Sequence, residues 1–83
     1  MVRISAVEPG YQNVKPHTTT SVCFTQIVEA ADGTRFLHMS TFGSETRASV
    51  PKSSQSMQFD VDTARSLVRA LTDIFGATVL PKA

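Results

Sequence analysis

The chain has no tryptophan, a single cysteine and a single tyrosine among its 83 residues. With one cysteine no intrachain disulfide can form. A structural zinc site is not expected either. Cys23, His17 and His38 are the only soft ligands, and their spacing matches no finger or ribbon. No metal and no cofactor is expected. Excess charge is also lacking, since eight basic residues face seven acidic ones. That excludes a polybasic arm or an acidic tail, and it argues against a strong duplex-DNA binder, which needs clustered Lys and Arg against phosphates. No apolar run approaches the roughly 18 residues of a membrane span. Met1-Val2-Arg3-Ile4-Ser5 lacks the basic-then-apolar pattern of a secretory signal. The expected setting is cytoplasmic, and Cys23 is expected to act as a small buried hydrophobe.

A chain this short buries only about 60% of its unfolded surface. With no disulfide and no metal, oligomerisation is the remaining way to gain burial. A single domain spanning residues 1–83 and a homodimer are therefore expected.

What is present is a strong pattern from Met57 to Gly76. Ala64, Leu67, Val68, Leu71, Ile74 and Phe75 follow the spacing of one helical face. At about 100° per residue they fall within an arc of roughly 120°. Asp60 is the preferred N-cap, with Phe59 and Ala64 placed for a hydrophobic staple and Asp62 in the first turn. Gly76 closes the helix, and Pro81 prevents a restart. The spacing predicts a helix over about 61–75. Leu67, Val68, Leu71, Ile74 and Phe75 are expected to be buried, under the sheet or between two subunits.

Everything before the helix alternates or breaks. Strands are predicted over about 2–7, 21–29, 34–42 and 55–59. Val22, Phe24, Gln26 and Val28 share one face of the second strand; Cys23, Thr25 and Ile27 share the other. Both faces being partly apolar, this strand reads as central or covered on both sides. Ala31-Asp32-Gly33 supplies a hairpin turn. On the third strand Phe36, His38, Ser40 and Phe42 oppose Leu37, Met39 and Thr41. Residues 43–54 are polar, Ser-rich and broken by Pro51, and they carry Arg47 and Lys52 against Glu45 alone. The order β-β-β-β-α implies an α+β fold: a four-stranded antiparallel curved sheet followed by one C-terminal amphipathic helix.

No catalytic constellation accompanies this pattern, and an enzyme is not expected. His38 sits among apolar strand residues with no acid or nucleophile adjacent in sequence, and reads as a partly buried structural histidine. The carboxylates are scattered. The serines of 43–56 lack a nucleophile-elbow setting, and the four glycines are isolated turn residues. A binding surface is the better reading. Single-stranded nucleic acid is held by a basic groove with aromatic platforms. Tyr11, Phe36 and Phe42 interleave with Lys15, Arg35, Arg47 and Lys52.

The stretch Lys52-Ser53-Ser54-Gln55-Ser56-Met57-Gln58-Phe59-Asp60, followed by a helix, resembles the end of the positive-cofactor-four family of transcriptional coactivators and their small bacterial relatives. The resemblance is one of layout and covers roughly residues 34–75. It implies a curved four-stranded antiparallel sheet, helices paired across a dimer two-fold, and single-stranded DNA held on the sheets. The expected site is then Tyr11, Lys15, Arg35, Phe42, Arg47 and Lys52, on the sheet face and the 43–54 loop. The alternative is a protein-interaction module, such as a phage- or plasmid-encoded inhibitor or an accessory subunit.

Overall fold

The computed structural model describes residues 1–42 and 55–82. Strand β1 is Val2–Arg3, β2 is Cys23–Glu29, β3 is Arg35–Thr41 and β4 is Gln55–Phe59. Helix α1 follows at Val61–Phe75, and a short 3-10 turn, η1, covers Gly76–Val79. The four strands form one sheet in the order β1-β4-β3-β2. The α+β class and the C-terminal helix are as the sequence predicts.

The turn between β2 and β3 closes for the expected reason. Ala30 and Thr34 are joined by a backbone hydrogen bond of 2.8 Å, and Gly33 takes a φ of 89°. That conformation suits glycine. The Asp32 carboxylate accepts the Thr34 backbone N–H at 2.9 Å, and this bond holds its pKa below the usual value. The pairing then runs without a break from Cys23↔Thr41 to Glu29↔Arg35. β3 and β4 pair equally regularly, from Leu37↔Phe59 to Thr41↔Gln55.

Two expectations about the sheet are corrected. It is mixed rather than purely antiparallel, because β1 runs parallel to β4, with Val2↔Met57 and Arg3↔Gln58 in register. The Ile4 N–H donates to the Gln58 carbonyl at 2.8 Å and ends this short ladder. β1 is joined to β4 by no tight turn, so nothing local fixes its direction. The sheet is also not strongly curled. The unbroken registers leave no bulge to bend a strand. The first strand stops at Arg3 instead of reaching Val7, and residues 4–22 carry no regular element. β2, expected to be central, is an edge strand whose residues are exposed apart from the half-buried Val28. Cys23, expected inside, is exposed.

Helix α1 starts and ends where its caps dictate. The Asp60 carboxylate accepts the Thr63 backbone N–H at 2.8 Å and the Thr63 hydroxyl at 3.0 Å. The backbone N–H bond is the main reason its pKa falls below 3.8, with the hydroxyl adding to it. At the far end Gly76 has a φ of 77°, and its N–H donates to the Thr72 carbonyl. The helix contacts the sheet chiefly through β4, the strand it grows from. Its apolar stripe is consequently not under the sheet. Leu67 is half-buried, while Val68, Leu71, Ile74 and Phe75 are 47%, 37%, 72% and 60% exposed. Among the described residues the one buried hydrophobic side chain is Phe59, at the root of the helix.

Candidate nucleic-acid interface

Strand alternation and the observed registers divide the sheet into two chemically different faces. On one side lie Phe24, Gln26 and Val28 from β2, Phe36, His38 and Ser40 from β3, Ser56 and Gln58 from β4, and Arg3 from β1; Ser40 and Ser56 are buried there, and Phe36, His38 and Gln58 are half-buried. The other presents Thr25 and Ile27, Leu37 and Met39, Met57 and Phe59, and Val2. The first is aromatic and polar, the second largely aliphatic.

The aromatic face is organised by specific contacts. The Phe24 and Phe42 rings meet edge to face, with centroids 5.3 Å apart and an interplanar angle of 74°. Phe24 remains half exposed. The Arg3 guanidinium carbon lies 5.5 Å from the Phe36 ring centroid, within cation–π range. Between these two groups the Gln58 amide nitrogen and His38 Nδ1 are 3.1 Å apart. With the Gln58 amide N–H donating to Nδ1, a neutral ring carries its proton on Nε2. Met1, Val2, Arg3, His38, Ser56 and Gln58 line a shallow cleft of 240 Å³ here. Such a surface offers aromatic rings for stacking, the exposed Arg3 guanidinium, whose charge also acts on the Asp60 carboxylate, and amide and imidazole groups for hydrogen bonds.

The predicted site residues are only partly gathered here. Phe42 takes its place against Phe24. Arg35 does not: it alternates with Phe36 and stands on the aliphatic side, opposite Glu29 in the β2–β3 register. Tyr11 and Lys15 lie in the exposed stretch without regular structure, and Tyr11 is 93% exposed. Arg47 and Lys52 fall outside the described residues.

Three participants were not anticipated: Arg3, Phe24 and the Gln58–His38 pair. Phe24 was within reach of sequence reasoning, because the Asp32-Gly33 turn fixes Phe24 opposite Ser40, one pleat from Phe42. Arg3 was not, since it arrives through a parallel pairing that no local pattern specifies.

Among the described residues no group of three or more His, Cys, Asp or Glu side chains could hold a metal ion. No helix there is long and apolar enough to cross a membrane. Comparison of the chain with family models, with curated proteins and with solved structures gave no match.

Proposed function

We propose that this protein is a small, non-enzymatic, cytoplasmic binding module that works as a homodimer and holds single-stranded nucleic acid on its aromatic sheet face. The observation that carries the reading is the pairing of Arg3 with Phe36 and of Phe24 with Phe42 on one side of the sheet, with His38 and Gln58 between them. Stacking platforms with an adjacent cation are what unpaired bases and their phosphates require. The near-neutral charge suits modest, salt-sensitive affinity rather than tight duplex binding. Arg47 and Lys52, in the polar stretch 43–54, add cations to the same reading.

The test is binding of a labelled oligonucleotide, single-stranded against duplex, at two salt concentrations. Preference for the single strand, weakening steeply with salt, is the expected result. Phe24→Ala should cost about 1–3 kcal/mol of binding with the salt slope nearly unchanged. Absence of oligonucleotide binding at low salt ends the nucleic-acid reading. The exposed apolar helix stripe favours a second reading, a protein-interaction module, in that event.

A further inference from the structure

The cleft beside β1 contains a polar group that the fold itself does not use. Ser56 lines it with Arg3, His38 and Gln58. Ser56 is only 8% exposed, yet its hydroxyl makes no hydrogen bond among the described residues. A buried hydroxyl ordinarily has a partner. No polar side-chain atom among the described residues is sealed from solvent without one. The Ser56 oxygen therefore keeps an opening, and the cleft provides it.

The neighbours of Ser56 in the cleft are also donors. The register sets Arg3 opposite Gln58, and Gln58 opposite His38; Cβ atoms of such pairs are about 5 Å apart. Ser56 precedes Gln58 by two residues on the same side of β4, about 7 Å along the strand. Gln58 uses one amide hydrogen on His38 Nδ1 and retains the other, while the neutral His38 ring retains an N–H at Nε2. No carboxylate lines the cleft. Asp60 feels the Arg3 charge, but its carboxylate is bonded to Thr63, and no salt bridge joins it to Arg3 among the described residues.

We infer that this cleft is a phosphate seat, in which Arg3 supplies the charge and Ser56, Gln58 and His38 donate hydrogen bonds to the phosphate oxygens. This rests on the reading of the face as a nucleic-acid site, and assigns the cleft to the backbone rather than to a base. Charged acceptors strengthen each such bond. The oxygens of one phosphate accept at about 2.8 Å, so donors on residues about 5–7 Å apart can reach different oxygens.

The probes are inorganic phosphate, thymidine, thymidine monophosphate and a single-stranded oligothymidylate, each titrated into isotope-labelled protein and followed by NMR. Phosphate and the monophosphate should shift the amides of Arg3, Ser56 and Gln58 and the His38 ring saturably, and thymidine should not. Ser56→Ala should weaken the monophosphate about tenfold, as the loss of one hydrogen bond to a charged group does. Ser40→Ala is the control: Ser40 stands opposite Ser56 and is 6% exposed, yet it lies outside the cleft lining. It should leave phosphate affinity at the wild-type value. The oligonucleotide tells the sources apart. Binding tighter than the monophosphate, with the same tenfold loss in Ser56→Ala, assigns the seat to a nucleic-acid backbone. Binding of phosphate and monophosphate without the oligonucleotide moves the seat to free phosphate esters and ends the nucleic-acid reading. Oligonucleotide binding that Ser56→Ala leaves unchanged, that comes with no response to phosphate or monophosphate, or that Ser40→Ala weakens equally overturns the seat alone. No response to any probe overturns both.

Discussion

Ile74→Ala separates a lone chain from a dimer because Ile74 is 72% exposed in a single copy. The substitution removes three side-chain carbons, worth about 0.8 kcal/mol each when buried. With little more than a quarter of the residue covered, a lone chain loses only about 0.7 kcal/mol. Alanine returns a few tenths of that through its better helix propensity. The net cost in a monomer is therefore near zero. If a second chain covers the stripe, the side chain is fully buried and truncation costs about 2–5 kcal/mol. Two side chains are truncated per dimer, so the dimer is weakened by about 4–10 kcal/mol, which raises its dissociation constant by a factor of roughly 700 or more. Urea unfolding followed at several protein concentrations reads this directly. Wild-type protein should unfold at a midpoint that rises with concentration, as linked dissociation requires. Ile74→Ala should lower that midpoint sharply, or leave a monomer without cooperative unfolding. A concentration-independent wild-type midpoint, with Ile74→Ala unfolding alongside it, would refute the covered stripe.

Phe59→Ala should cost about 3–5 kcal/mol, because Phe59 is the one buried hydrophobic among the described residues; circular dichroism melting that is unchanged would contradict its place at the helix root. Asp60 contributes stability that is present above its unfolded pKa and lost as pH falls through its lower folded pKa, so melting temperature should decline below about pH 4. Asp60→Asn keeps a good cap, and should reduce that acid-side decline while leaving melting at pH 7 close to wild type; Asp32, shifted in the same direction by its Thr34 bond, keeps part of the decline. Arg3→Ala should weaken single-stranded oligonucleotide binding and lower the salt slope by about 1, whereas Arg35→Ala, on the other sheet face, should leave the slope nearly unchanged; equal effects would undo the assignment of faces. Lys52→Ala should weaken binding to all sequences alike, as a phosphate contact does, which a panel of oligonucleotides would check.

Local features were legible in the sequence wherever a local cause decides them. Asp60 and Gly76 bound the helix at Val61–Phe75 because capping is settled within four residues at each end. The Asp32-Gly33 turn fixed the β2–β3 register, and the period of two then sorted side chains between faces. Apolar residues on both sides of β2 were equally informative about composition, yet they misled about position. A strand covered on both faces and an edge strand awaiting a partner carry the same alternation, since each has two surfaces destined for contact. In the structure β2 is the edge strand, with Phe24 exposed on one face and Ile27 on the other.

What stayed hidden is the docking of elements distant in sequence. β1 follows no turn from its neighbour β4, so Val2 and Arg3 were free to enter the sheet in either direction. That direction decides the site, because the register Arg3↔Gln58 puts the guanidinium on the same side as Phe36. Had β1 stopped one residue out of register, the alternation would have turned Arg3 to the aliphatic face and left the aromatic face without its cation. The helix poses the same problem at larger scale. Its stripe specifies that an apolar surface must cover it, and the pattern does not say whether that surface belongs to one copy or to two. In this chain the helix leaves the sheet at Asp60 and contacts it chiefly through β4, so within one copy Val68, Leu71, Ile74 and Phe75 stay exposed.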